Sequence, residues 1–345
     1  MSVDDVLLST AERIFAGTCT FDAIEAAEAD GWAPSVWSAL AEAGLPWISV
    51  PERAGGVGGS LEDALAVLRI AGRHAAPVPL AETGLLAGWL ASSGGLQVAE
   101  GPATLVPGSA RDTVALTGAT LSGIAYGVPW ASRAGQLVVL VANGTQWKVA
   151  TVATSAVAIE STVNLAGEPR DTVHFDSSPI GELASTTIDA EALERRGALT
   201  RIMLMAGAME RMNEITLAYT SQRQQFGRPV ARFQLVQAHL VHLAQDTALL
   251  GIAADAAARA AAVGEAAFEI AAARTLAGAT VATATRAAHQ AHGAMGMTRE
   301  YPLHHLSRRL WSWRLEYGKE YRWQLAVGAH AAKAGPDALY GLVTG

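Results

Sequence analysis

The chain has 345 residues, of which 50% are hydrophobic, so it is long enough to bury a large core in two or three packed units. Its formal net charge of -7 argues against general binding to nucleic acid or to an anionic membrane surface, and its single cysteine, Cys19, excludes an internal disulfide. The sequence has no uninterrupted apolar run of transmembrane length and no basic, apolar leader, so we expect a cytoplasmic protein.

The first part of the chain, residues 1–101, is predicted to be an N-terminal helical domain. Its apolar positions recur at helical spacing, and Gly and Pro residues interrupt them. One helix begins at Ser60, where Asp63 completes a capping box. The other predicted helices are Val3 to Ala16, Pro34 to Ala43 and about Leu80 to Ala91.

Residues 102–187 change to short Val- and Thr-rich runs with alternating hydrophobicity, which predicts a small antiparallel β domain. The pair Asn143-Gly144 separates two such runs and is a strong hairpin signal, because both residue types accept left-handed backbone angles. This region therefore forms a middle unit of a different kind from the helices on either side.

Residues 188–345 return to helix, and short connections between long helices predict an antiparallel four-helix bundle. The fold class is therefore mixed α and β, mainly α. The predicted helices are Ala190 to Gln222, Arg232 to Val263, Glu265 to Met295 and about Leu303 to Ala332.

A basic joint, Ser221 to Gln234, separates the first two of these helices. Gly227 breaks the helix, and Arg223, Arg228 and Arg232 stand beside backbone amides that a turn leaves unpaired. Such a turn suits a phosphate or carboxylate ligand. On chemistry alone, however, the commoner case is favoured, in which these arginines pair with acids or face water at a corner between helices.

Three local sequences, together with the order helical, β, helical, resemble the acyl-CoA dehydrogenase family over the whole chain. They are ISVPERAGGVGGSLEDALAVL, RQQFGRPVARFQLVQAHLVHLAQD and QAHGAMGMTREYPLHHLSRR. The resemblance implies that FAD lies between subunits and that the R-x-x-F-G motif reaches the flavin nucleotide of a neighbouring protomer. The residues that it assigns to the cofactor are Arg223, Phe226, Gln234, Gln290, Gly293 and Gly296.

The catalytic base is where the sequence departs from the family. The family's reaction removes the α proton of an acyl-CoA thioester with a carboxylate while a hydride leaves to flavin. The usual Glu follows the Arg here numbered Arg308 by nine residues, and that position is Tyr317. Glu316, one position earlier, is the candidate base, although one step on a helix turns a side chain by roughly 100 degrees. A second base position used by some members falls at Gly197.

The middle unit also lacks the family strings that hold the isoalloxazine ring, and LSGIAYGVPWASRAGQLVVLV stands in their place. Three hypotheses follow. The chain is one subunit of a heteromeric, FAD-dependent acyl-CoA dehydrogenase whose base belongs to a partner subunit, or a homo-oligomeric dehydrogenase that uses Glu316, or a non-catalytic binding or structural protein. The resemblance further implies an acyl-CoA substrate from fatty acid or steroid side-chain metabolism and a flavoprotein as electron acceptor.

Four histidines near the C-terminal motif suggest a metal only weakly. Their spacing brings no defined carboxylate or Cys partner, and histidines at a cofactor or on a surface are the commoner case. We therefore expect no metal site. The four are His289, His292, His304 and His305.

Overall fold

Short helices packed on one another open the fold. The computed structural model describes residues 5–344, so Val3 and Asp4, predicted to begin the first helix, lie outside the described residues. Ser60 forms the predicted cap, because its hydroxyl oxygen accepts the backbone N–H of Asp63 at 3.0 Å. The helices of this part are α1 (Asp5–Thr18), α2 (Phe21–Asp30), α3 (Pro34–Glu42), α4 (Leu61–Arg73), a π-helix over Ala81–Gly88 and α5 (Trp89–Ser93).

Two four-stranded sheets follow and share one apolar core. Their strand orders are β1-β4-β5-β8 and β2-β3-β7-β6, and every pairing is antiparallel except β1 with β4. The predicted hairpin is confirmed, because Asn143 pairs with Gln146 across the turn at Gly144. The strands are β1 (Ala103–Leu105), β2 (Ala115–Thr117), β3 (Thr120–Pro129), β4 (Gln136–Asn143), β5 (Gln146–Ala153), β6 (Ala158–Glu160), β7 (Arg170–Pro179) and β8 (Glu182–Thr186).

The rest of the chain is a helical bundle. The prediction of a single helix from Leu303 to Ala332 was wrong, because residues 314–319 form a turn in which Tyr317 and Gly318 have φ of 51° and 94°. In the described part of the chain, no helix is both long and apolar enough to cross a membrane. The bundle helices are α6 (Ala190–Gln222), α7 (Gln234–Val263), α8 (Ala267–His292), α9 (Leu303–Trp313), α10 (Glu320–Ala334) and α11 (Leu339–Thr344).

A close crossing of α4 and α6 joins the N-terminal helices to the bundle. A methyl group on Gly207 would lie 1.9 Å from the carbonyl oxygen of Arg69, and one on Gly72 would lie 2.2 Å from that of Leu204. Only glycine permits such an approach of two backbones. One continuous apolar core extends from α1 to α10. A second cluster packs Leu193 of α6 against the sheet that contains Val138 and Val149.

Candidate functional site

The α6–α7 joint folds as a tight hairpin at one end of the bundle. The two-residue strands β9 (Gln224–Gln225) and β10 (Arg228–Pro229) pair antiparallel. Phe226 and Gly227 form the turn, with φ of 51° and 75°, as a type I′ turn requires. A phenylalanine with positive φ is a strained residue, and strain of this kind clusters at functional sites.

The side chains of this hairpin face solvent. Phe226 is 92% exposed and touches the ring of Phe233 by its edge. Arg223 is exposed, and no ion pair of its side chain is found among residues 5–344. Gln234 is exposed at the first position of α7. The joint therefore presents a cation and an aromatic ring that nothing in the described chain covers.

The C-terminal end of α8 supplies a second turn. Gln290 is exposed there, and Gly293 ends the helix with φ of 61° and ψ of -137°, angles that only glycine adopts readily. Gly296 is buried, and a methyl group on it would lie 2.9 Å from Cβ of His292. His289 donates its Nδ1 proton to the Gly296 carbonyl at 2.8 Å, which holds the turn closed.

A stack of rings connects these two turns. Tyr219 lies one helical turn before Arg223, and its ring stacks on that of His292 with centroids 4.5 Å apart. Tyr301 packs against both rings and donates its hydroxyl proton to the Ile215 carbonyl at 3.1 Å. The residues predicted to bind cofactor therefore share one end of the bundle. Sequence reasoning missed Tyr219 and Tyr301, which no motif marked.

Burial lowers the pKa of His292, so its imidazole is neutral near pH 7. Its Nδ1 donates to the Ala288 carbonyl at 2.8 Å, and its Nε2 is buried with no partner among the described residues. An acceptor atom without a donor is costly inside a protein.

The side chain of Glu316, the candidate base, is 17% exposed. It belongs to the turn between α9 and α10, so the rotation expected for a helical residue does not apply. Arg274 fixes this turn, because its Nη2 donates to the carbonyls of Arg314 and Glu316 at 2.6 and 2.9 Å. The buried guanidinium of Arg274 therefore holds the backbone of this turn in place.

Two arginines bind the Glu316 carboxylate. Arg170 donates its Nε proton to one oxygen at 2.7 Å, and Arg201 donates its Nε proton to the other at 2.6 Å. Arg201 is 1% exposed and also binds Glu82 at 2.6 Å, while Arg170 binds Glu168 at 3.0 Å. Burial alone would raise the pKa of Glu316, but the two arginines lower it to about 2. A carboxylate so stabilised is a poor proton acceptor.

Tyr317 fills the space between the two base positions. Its ring packs on Gly197, where an added methyl carbon would lie 2.1 Å from Cδ1. Burial raises the pKa of its hydroxyl, which has no hydrogen-bond partner among the described residues. Glu194, the nearest acid on α6, does not pair with Arg195 or Arg196 and instead binds Arg322 at 2.5 Å. Neither position therefore presents a free carboxylate.

Replacing Gly197 by Ala is expected to lower the free energy of unfolding by about 1–3 kcal/mol, because the methyl group overpacks the site that Tyr317 occupies. Denaturant unfolding measures the effect. Gly328→Ala is the matched control, since Gly328 lies in α10 with nothing within 4 Å of an added methyl, and we expect it to stabilise by about 0.5–1 kcal/mol. Equal effects of the two variants would contradict the packing described here.

The exposed end of the bundle has room for a ligand, whereas the small cavity beside Arg201 does not. On the outside, nothing lies within 4 Å of a methyl group added at Gly227 or at Gly293, and Gly227 lies on the same hairpin as Arg223, whose guanidinium suits a phosphate group. Inside, between the sheets and the helices, the cavity beside Trp130, Arg170 and Arg201 has a volume of about 20 Å³. That is room for one water molecule, not for a flavin ring.

Sequence comparison finds two matching family profiles. Residues 191–320 match the profile described as acyl-CoA dehydrogenase, C-terminal domain, and residues 4–96 match acyl-CoA dehydrogenase, N-terminal domain. The chain is similar to the acyl-CoA dehydrogenase FadE28 of Mycobacterium tuberculosis, with 30% identity over 297 residues that cover 78% of this chain and 84% of FadE28. It is 29% identical to FadE34 of the same organism over 69% of this chain, but it spans only 33% of FadE34.

Structure comparison finds the same architecture. A chain of the ChsE4-ChsE5 complex from Mycobacterium tuberculosis superposes with a TM-score of 0.88, covering 97% of this chain and 99% of that one, at 22% identity. Butyryl-CoA dehydrogenase from Megasphaera elsdenii superposes with a TM-score of 0.82, covering 96% and 99%, at 14% identity. At these identities the match establishes the fold.

Proposed function

The chain belongs to the acyl-CoA dehydrogenase family, and we propose that it is one subunit of a hetero-oligomeric, FAD-dependent acyl-CoA dehydrogenase whose catalytic base lies on a partner subunit. The observation that carries this proposal is the environment of Glu316. Two arginines bind both oxygens of its carboxylate, and the Tyr317 ring fills the space over Gly197. A chain closed in this way does not abstract an α proton itself.

The exposed groups at the other end of the bundle support the second part of the proposal. Phe226 keeps a strained turn while its ring lies in solvent, which is costly unless another molecule covers it. Arg223 and Gln290 would contact the nucleotide half of FAD. The turn at Gly293 would leave room for that half of the cofactor, because nothing lies within 4 Å of a methyl group added there. Bound FAD supplies the hydride acceptor for α,β-dehydrogenation of the acyl-CoA thioester.

The outer surface of α7 gives a partner a place to bind. Apolar side chains that face solvent recur along this helix, and large exposed apolar patches mark interaction sites in soluble proteins. They include Leu235 at 79% exposure and Ile252 at 69%, with Val241 and Leu249 between them. Because this helix begins at the joint that carries Phe226, a subunit bound there would also lie beside the proposed cofactor.

The fold similarity to the ChsE4-ChsE5 complex, which pairs two different chains, agrees with a mixed assembly. The assembly would pass electrons to a separate flavoprotein, as the family resemblance implies. The cytoplasmic location stays a prediction. The homo-oligomeric alternative with Glu316 as base and the non-catalytic alternative make different predictions for the experiment that follows.

Co-expression with the protein encoded by the neighbouring open reading frame tests the proposal. We expect the flavin absorbance spectrum to appear in the mixed complex, together with dehydrogenation of an acyl-CoA, and the chain purified alone to carry little flavin. Full FAD occupancy and activity of the chain alone would support the Glu316 alternative and reject the proposal. Absence of flavin from both preparations would favour a binding or structural role.

A further inference from the structure

A cluster of histidines and glutamates joins α2 to the first turn of α9. His304 and His305 follow each other at the start of α9, with ring centroids 4.0 Å apart. Glu25 reaches them from α2, 279 and 280 positions earlier in the sequence. This separation explains why sequence spacing alone gave the histidines no carboxylate partner. The cluster lies outside the cofactor and base regions described above.

Three ligand atoms of this cluster converge. Glu25 Oε1 lies 3.4 Å from His305 Nε2 and 3.6 Å from His304 Nε2, and all three atoms lie within 4.8 Å of one another. Bond lengths of about 2.0–2.2 Å from imidazole nitrogens and a carboxylate oxygen to Zn²⁺ span gaps of this size after small side-chain movements. The side chains of His304 and Glu25 are 13% and 27% exposed, so solvent lies beside the cluster and can supply a water as fourth ligand once these side chains move.

The hydrogen bonding of His305 makes the centre of the cluster chemically unusual. His305 is 1% exposed, and its Nδ1 lies 2.9 Å from a carboxylate oxygen of Glu28. The same carboxylate also accepts bonds from Arg308 Nη2 at 2.7 and 2.6 Å, as an ionised carboxylate does. Nδ1 must therefore carry the donated proton. When the His305 ring is neutral, its Nε2 therefore carries a lone pair and no proton, and this lone pair faces Glu25.

Both facing atoms are buried and unsatisfied. His305 Nε2 and Glu25 Oε1 have no hydrogen-bond partner among the described residues. Two acceptors turned toward each other require a cation between them, either a proton or a metal ion. His304 Nε2 approaches the same carboxylate oxygen. A metal ion can bind this third ligand atom as well, whereas a single shared proton cannot. The carboxylate of Glu28 behind the imidazole of His305 is the outer support common at metal-bound histidines.

The arginines around the cluster allow this arrangement. His304 Nε2 now lies 3.1 Å from the Arg299 carbonyl, and Arg308 lies 3.0 Å from His304 Nδ1. Binding a metal through Nε2 moves the His304 proton to Nδ1 and ends the contact with Arg308, which keeps its two bonds of 2.7 and 2.6 Å to Glu28. Arg299 is 76% exposed, so its bond to the other oxygen of Glu25 is screened by water.

We propose that Glu25, His304 and His305 bind a divalent metal ion of the zinc type, with water as the fourth ligand, and that this ion ties α2 to α9. A donor set of two imidazoles and one carboxylate suits Zn²⁺ and Co²⁺ better than Mg²⁺ or Ca²⁺, which prefer oxygen donors. The site holds the N-terminal helices against the bundle. It takes no part in the proposed dehydrogenation.

The test uses the full chain in the assembly in which it purifies, without a histidine tag and after treatment with a chelator. Titration with Co²⁺ is followed by its visible absorption, and Zn²⁺ is measured by competition and calorimetry. We expect one ion per chain and a rise in melting temperature on Zn²⁺ addition. Glu25→Gln and His304→Ala are each expected to weaken binding by at least about tenfold. His242→Ala, an exposed histidine on α7, is the control and should bind as wild type does.

Binding that is equal in wild type and in Glu25→Gln would identify adventitious surface binding and overturn the proposal. Absence of Co²⁺ absorption in the wild type would show that a proton alone occupies the gap, and would also overturn it. Melting temperatures without metal show whether each variant folds. His304→Ala leaves the bonds of Glu25 to Arg299 and of Glu28 to His305 in place, so it keeps the test informative if Glu25→Gln is destabilised.

Discussion

Replacing Glu316 by Gln is expected to lower the free energy of unfolding by about 3 kcal/mol. The variant removes the shared negative charge between Arg170 and Arg201, and breaking one side of a buried ion pair costs roughly 3–5 kcal/mol. We place the effect at the lower end because the side chain of Glu316 keeps 17% exposure and because each arginine retains a second carboxylate, Glu168 or Glu82. Urea unfolding measures it.

The same carboxylate makes stability depend on pH. The pKa of Glu316 falls from 4.5 to about 2 on folding, so the folded state binds its proton less readily than the unfolded state. The stabilisation is therefore fully present above about pH 4.5 and is lost as the pH falls from 4.5 toward 2. Between pH 5 and pH 3, the free energy of unfolding should fall less steeply in Glu316→Gln than in wild type.

Glu320→Gln is the matched control for this prediction. Glu320 accepts from Arg314 at 2.7 Å, but the pair is partly exposed, so we expect less than about 1 kcal/mol. If the two variants are equally stable, Glu316 does not hold the network together. A loss of dehydrogenase activity in a mixed complex of normal stability would instead identify Glu316 as the base.

Local signals predicted much of the fold. The bounds of α6, Ala190 to Gln222, were predicted correctly because the signals at both ends are visible in the sequence. Asp189 is the N-terminal cap, and the basic segment that begins at Arg223 ends the helix. The cap at Ser60 and the hairpin at Asn143-Gly144 were also predicted, because each depends on a few adjacent residues that the sequence shows directly. The break between α9 and α10 was missed because helix-forming residues surround it. Arg274, whose guanidinium holds the carbonyls of that turn, is about 40 positions away.

The candidate site was predictable only where a motif is contiguous. Arg223 and Phe226 stand in one short string that the sequence shows directly, and both are exposed in the fold. The partners of Glu316 are 146 and 115 positions away, so no spacing rule links them to it. The carboxylate at Glu316 therefore looked like a displaced base in the sequence, whereas the fold surrounds it with buried cations.

The largest effect on the cofactor is expected from Arg223→Ala, which should weaken FAD binding by the mixed complex about 10- to 100-fold. The exposed guanidinium would donate charge-assisted hydrogen bonds to the nucleotide, each worth about 1.5–3 kcal/mol. Flavin fluorescence during dilution measures the affinity. Size-exclusion chromatography of the same samples separates loss of cofactor from loss of the partner subunit.

Arg228→Ala is the control on the same hairpin, because the guanidinium of the exposed Arg228 packs over the Phe233 ring, 4.3 Å from its centroid. If Arg228→Ala weakens FAD binding as much as Arg223→Ala, the effect comes from the fold of the hairpin and not from a direct contact. If Arg223→Ala binds FAD as wild type does, the joint serves the subunit interface alone. The proposed division of labour, with the nucleotide contacts on this chain and the base on its partner, requires that Arg223 and Arg228 behave differently.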